Sequence, residues 1–191
     1  MFRQSLEIRF LTEADVEAYW RLREEGLEAE PLSFSESAEE HRAKTPDCMA
    51  ERFREGSAVA GAYVDGELSG IAGLAPNLRE KMRHRVVVFG VYVPQRWRSR
   101  GIARALILLL IERARCSPGV DQIQLSVAAN TPAHRLYSSL GFESFGLEKR
   151  ALKIGEVYVD EHHMVLYLNP PQSREHSSPI QTPKESRRLV T

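Results

Sequence analysis

Apolar and polar residues alternate in "LEIRFLT", and strand-forming residues fill it, so a first strand is predicted near the N-terminus. The period then changes. In "TEADVEAYWRLREEG" the apolar positions Val16, Tyr19, Trp20 and Leu22, with Leu27 just beyond, recur at helical spacing. Thr12 supplies the N-cap, Glu13 and Asp15 sit in the first turn, and Gly26 is expected to end the helix. After a loop at "EPLSFSES", the charged stretch "SAEEHRAKTPDCMAERFREG" predicts a second helix that Pro46 interrupts. "SAVAGAYVDGELSGIAGLAPN" reads as two strands joined at Asp65-Gly66, a strong hairpin signal. The nearly continuous apolar run "HRVVVFGVYVP" predicts a central strand buried on both faces. A helix over "GIARALILLLIERARC", a strand over "DQIQLSVAAN" and a short helix over "TPAHRLYSSLGF" follow. "FGLEKRALKIGEVYVDEHHMVLYL" predicts a closing pair of strands.

The predicted order is strand, two helices, three strands, helix, strand, helix, two strands. That describes a mixed α/β sheet with helices on its faces. From Asn169 the composition turns to proline, serine and charge, so 169–191 is expected to be a disordered tail outside the fold.

Composition narrows the partners. The 191 residues suffice for one domain with a sizeable core. Lys plus Arg and Asp plus Glu both number 26, so net charge gives no reason to expect nucleic acid or an anionic membrane. Cys48 and Cys116 lie far apart without metal-ligand spacing, which argues against a disulfide framework or a metal site and suits a reducing, cytoplasmic setting. The first ten residues carry charges and no apolar signal core, and "ALILLLI" is too short to span a bilayer.

The densest chemistry lies in "QRWRSRGIARAL", where arginines and a glycine stand between the apolar strand and a helix. A helix start offers unpaired N–H groups and the positive end of the macrodipole, and small residues let an anion reach the backbone. Arg98 and Arg100 add charge suited to phosphate oxygens. The stretch is neither a Walker loop nor a dinucleotide fingerprint. A plainer reading has the arginines solvate the helix start and Gly101 turn the chain.

"RSRGIA" fits the pattern arginine or glutamine, two residues, glycine, one residue, glycine or alanine. With "SVAANTPAHRLYSSLGFESFG" and "YVDEHHMVLYL" downstream, in that order, the chain over 6–168 resembles the GNAT superfamily of acyl-CoA-dependent N-acetyltransferases. The resemblance implies a mostly antiparallel sheet of about seven strands flanked by about four helices, with a splayed central pair forming the acyl-CoA cleft. Acetyl-CoA would be the co-substrate, with no metal. Backbone N–H groups across Arg98, Ser99, Arg100, Gly101, Ile102 and Ala103 would hold its pyrophosphate. Val91 and Val93 would pair with its pantetheine arm, and Asn130 would hydrogen-bond that arm or simply cap a helix. Gly90, unexpected in such an apolar strand, suggests a bulge in its own right. Tyr137 matches the family's general acid, which protonates the departing thiolate; its helical spacing with Ala133 and Leu140 also suits a core aromatic.

The resemblance has departures. Pro94 stands four residues before Arg98 instead of three, Ser99 replaces the usual glycine, and the strand "RVVVFGVYV" lacks the glutamate that many members use as a base. Glu36, Glu39, Glu40 and His84 are the remaining candidates for that role, and attack without a dedicated base is the alternative. Seven glutamates and no basic residue between Glu24 and Glu40 favour a cationic amine acceptor. The expected activity is therefore acetyl transfer to a primary amine, with a non-catalytic acyl-CoA sensor as the rival. Family members often form homodimers, but no apolar stripe in the sequence specifies one.

Overall fold

The structure, a computed structural model, describes residues 5–168. The expected tail at 169–191 lies outside the described residues. The chain runs β1 (Leu6–Phe10), α1 (Val16–Ala29), α2 (Ala38–Arg42), α3 (Asp47–Arg54), β2 (Ala58–Val64), β3 (Glu67–Pro76), β4 (Arg85–Tyr92), α4 (Ile102–Arg115), β5 (Gln122–Ala128), α5 (Pro132–Ser139), β6 (Glu143–Ile154) and β7 (Val157–Tyr167). The seven strands form one sheet in the order β1-β2-β3-β4-β5-β7-β6, antiparallel at every junction except β4–β5.

Two helices differ from the sequence reading. α1 continues past Gly26 to Ala29. Gly26 serves packing there: a β-carbon would meet Cγ of Tyr92 at 2.8 Å. The second predicted helix is two, giving five helices in place of four. Pro46 has no N–H to donate and disfavours helix at Thr45, so α2 stops at Arg42 and α3 starts after Pro46. The Asp65-Gly66 hairpin forms as expected, with φ +50° and +85° at the two turn residues.

The sheet separates two apolar layers. On one face α4 presses Ile102, Leu106, Ile107 and Leu110, each at most 2% exposed, onto residues of β2 to β5. Burying each such side chain contributes about 1.5–3 kcal/mol, so α4 is the main clamp on the sheet. α5 extends this layer through Tyr137. On the other face Tyr19 and Leu22 of α1 and Met49 of α3 pack on Val59, Ile71 and Tyr92.

β4 changes faces midway. Gly73 pairs with Phe89 and Ile71 with Tyr92, so three steps on β4 answer two on β3. This is a bulge, and Gly90 adopts φ +62° within it. The extra residue inverts the alternation: Val86, Val88, Val91 and Val93 all face α4, while Phe89 and Tyr92 face α1. β4 also loses its other neighbour. It pairs with β5 only from Arg85 to Val87, opposite Gln122 to Gln124, and beyond that the two strands continue without pairing. The sheet thus opens into a wedge at its centre, as the resemblance implied.

Candidate active site

The wedge opens toward the start of α4. The loop before it carries two left-handed residues, Ser99 at φ +61° and Gly101 at φ +80°. Gly101 is the N-cap and has no side chain to satisfy the first helical N–H groups. The first helix-closing bond there runs from Ala105 N–H to Gly101 C=O. The N–H groups of Ile102, Ala103 and Arg104 therefore have no partner within the helix, which is the arrangement of a backbone anion site.

The arginine side chains beside this loop have contacts within the protein. Arg98 donates through Nε to the Val93 carbonyl at 2.9 Å and through Nη2 to Glu30 at 2.7 Å. It ties the end of β4 to the end of α1. Arg96 bridges Glu25 and Glu67. The Arg100 guanidinium lies 4.8 Å above the Trp97 ring. Arg98 thus fixes the loop's position, and what the loop offers an anion is its backbone. Val91 is half-buried beyond the bulge, and Val93 is buried with its carbonyl engaged by Arg98.

Asn130 and Tyr137 follow from the end of β5. Thr131 caps α5, accepting from His134 N–H at 3.3 Å and donating to Ala128 C=O at 2.8 Å. Capping is therefore not Asn130's task; Asn130 is exposed, at φ +60°. The Tyr137 ring is 5% exposed and meets Phe142 edge-on at 5.8 Å. Its hydroxyl is not among the buried polar atoms lacking a partner; those are Trp97 Nε1 and Arg23 Nη1. Burial pushes the Tyr137 phenol well above its usual range, so it stays protonated.

The base candidates separate by position. His84 precedes β4 at its paired end, six residues from Gly90, which is about 20 Å along an extended strand. Glu40 accepts from Ser37 N–H at 2.8 Å and closes a capping box on α2. Glu39 is exposed in the same turn. Burial of Glu36 would raise its pKa, but hydrogen bonds from Lys44 and Arg23 outweigh it and hold the carboxyl below its usual value, which makes a weak base. The sequence reading passed over Glu161 of β7, which pairs with Ala128 at the last residue of β5. By alternation Glu161 shares a face with His163, whose Nδ1 lies 2.9 Å from Ser126 Oγ. That face is opposite the one on which Met164 packs with α4. Burial raises the Glu161 pKa, with His163 opposing. Only strand register could have revealed it.

The acidic segment is largely neutralised. Arg42 pairs with Glu24 and Glu28, Arg96 with Glu25, Arg98 with Glu30, and Arg23 and Lys44 share Glu36. With Glu40 in its capping box, six of the seven glutamates are engaged by the protein itself. The acidic charge that suggested a cationic acceptor is thus largely taken up within the protein. Among the described residues there is no cluster of three metal-ligating side chains, and no helix is long and apolar enough to cross a membrane.

The profile of the acetyltransferase (GNAT) family matches residues 18–142. An L-amino acid N-acetyltransferase of Escherichia coli is 39% identical over 105 residues, which span 54% of this chain and 64% of that relative's length. Among solved structures, the YncA protein of Salmonella typhimurium, determined with its cofactor acetyl-CoA, superposes with a TM-score of 0.75 at 23% identity, covering 92% of this chain and 98% of that one. A phosphinothricin acetyltransferase of Sinorhizobium meliloti in complex with acetyl-CoA gives a TM-score of 0.75 at 22% identity, covering 89% and 92%.

Proposed function

Since the chain belongs to the GNAT acetyltransferase family, we propose that it transfers the acetyl group of acetyl-CoA directly to a primary amine. The observation that carries this reading is the wedge between β4 and β5 beside the uncapped start of α4. A long thioester with a pyrophosphate at one end fits a cleft with an anion site at its mouth. The Arg98 N–H is taken by the Gln95 carbonyl at 3.2 Å, so the N–H groups from Ser99 to Ala103 hold the pyrophosphate, and the unpaired edge of β4 at Val91 offers the pantetheine arm a strand partner. Asn130 supplies a polar contact to the same arm.

The amine enters from the α1 face and attacks the thioester carbonyl. Oriented binding provides much of the acceleration, and a backbone N–H at the Gly90 bulge stabilises the oxyanion. Tyr137 donates to the departing sulfur. Its raised pKa makes it a weaker acid than a thiol of about 8.5, so it acts by hydrogen bonding in the transition state, and the proton finally equilibrates with solvent. Glu161, whose pKa burial raises above the ordinary carboxylate value, is the carboxylate best suited to receive the amine proton, directly or through water.

The absence of a carboxylate from β4 favours a second reading, a non-catalytic acyl-CoA sensor. Thiol release from acetyl-CoA in the presence of an amine panel separates the two. The enzyme reading predicts turnover that falls about 100-fold or more in Tyr137→Phe while acetyl-CoA affinity is retained. Binding of acetyl-CoA without turnover on any amine supports the sensor.

A further inference from the structure

We infer that the acceptor carries a carboxylate next to its amine, and that Arg23 is the residue that reads it. The inference rests on the acetyltransferase reading above and specifies its acceptor. Arg23 lies on the buried stripe of α1, one turn from Tyr19, and its side chain is 10% exposed. Nη2 meets Glu36 at 3.1 Å, and the guanidinium carbon stands 4.4 Å over the Phe34 ring. Nη1 is buried and has no hydrogen-bond partner. Leaving a buried donor of a charged group unmade is costly, so such an atom calls for a ligand.

Its direction identifies the ligand's place. A β-carbon built on Gly90 would have Arg23 Nη1 as its nearest neighbour outside the adjacent residues, at 3.7 Å. Gly90 is the bulge where β4 has already parted from β5. The unmade donor therefore faces the point where amine and thioester meet. The charges around it agree. Arg23 and Lys44 share the single carboxylate of Glu36, and Arg52, held 5.5 Å over the Phe89 ring, makes no ion pair among the described residues. Three cations, Arg23, Lys44 and Arg52, thus share one ion-paired carboxylate, Glu36. A guanidinium fork with one nitrogen unpaired suits a planar carboxylate, and proximity to the bulge places that carboxylate within a bond or two of the reacting amine. A zwitterionic α-amino acid meets both conditions; a polyamine meets neither. The Phe34 segment between α1 and α2 covers Arg23 and must shift to admit the acceptor.

The test compares the common L-amino acids, each beside its own carboxamide, as acceptors for the full chain with acetyl-CoA. The best amino acid is expected to exceed its carboxamide in kcat/KM by about tenfold or more, the scale of one charge-assisted hydrogen bond. In Arg23→Met this preference collapses toward parity, mainly through KM, and Arg23→Lys restores part of it. Calorimetric affinity for acetyl-CoA reports whether each variant keeps its fold. No preference in the wild type, or the same preference in Arg23→Met, overturns the inference. If the wild type binds acetyl-CoA but acetylates only amines without a carboxylate, or none of the panel, the assignment of Arg23 falls and the family reading survives. If acetyl-CoA does not bind, both fall.

Discussion

Gly101 sits at φ +80° with open space where a β-carbon would stand, so replacing it tests backbone conformation without a steric clash. Alanine there pays the left-handed penalty of about 1–2 kcal/mol or rotates the loop out of register. Gly101→Ala is therefore expected to weaken acetyl-CoA binding about tenfold by titration, with a small change in melting temperature. Asp15 makes a different single-residue case. It accepts from both terminal nitrogens of Arg9, at 2.7 and 2.8 Å, and from the Tyr63 hydroxyl at 2.6 Å. The Arg9 hydrogen bonds hold its carboxyl well below the usual carboxylate range, against the opposing effect of burial. A depressed folded-state pKa means that the stability it confers is complete above the unfolded value of about 4 and is lost as the pH falls below it. Asp15→Ala is expected to cost about 2 kcal/mol at neutral pH and to flatten the acid side of the stability–pH curve. Chemical denaturation between pH 7 and pH 3 measures both; an unchanged acid limb would remove Asp15 from the account.

Elements are positioned by contacts that local pattern does not encode. The Tyr92 ring lies over Gly26 of α1, and its hydroxyl donates to Glu25 at 3.1 Å; burial, then Glu25, pushes the phenol pKa up to about 12. By propensity alone Gly26→Ala would stabilise α1 by up to about 1 kcal/mol. The added methyl meets the anchored ring at Cγ, 2.8 Å away, and overpacking of that kind costs about 1–3 kcal/mol. The expected outcome is a net loss of stability in thermal denaturation; a higher melting temperature would show that Tyr92 moves freely. The same contact explains why a glycine stands inside the helix. Most element identities were legible because period, caps and turn residues agree, as at Asp65-Gly66 and Pro46. The face inversion of β4 was not, since a bulge changes which residues lie inside without changing their order. Gly90 marked the place but not the consequence.

Across the whole molecule, sequence and space diverge most in charge. Glu30 and Arg98 are 68 positions apart and 2.7 Å distant in the fold. A run of glutamates read along the chain looks like an acidic surface; folded, it is a set of braces joining α1 to α2 and to the loop before α4. The uncapped start of α4 was legible at 98–103 because helix termini have the same physics everywhere. The ion pairs of Arg96 and Arg98 were not legible there because their partners are remote. Arg23 escaped notice although a charged residue on the apolar stripe of a helix is a readable signal. The wedge itself follows from a pairing that stops after Val87, which no local pattern states.

The central claim is that this wedge and the start of α4 hold acetyl-CoA. Calorimetric titration of the full chain with acetyl-CoA tests it most directly. The account predicts saturable binding at one site with Kd in the micromolar range, about −8 kcal/mol, weakened about tenfold by Gly101→Ala. No heat of binding at millimolar acetyl-CoA would contradict it, and the proposed reaction would fall with it.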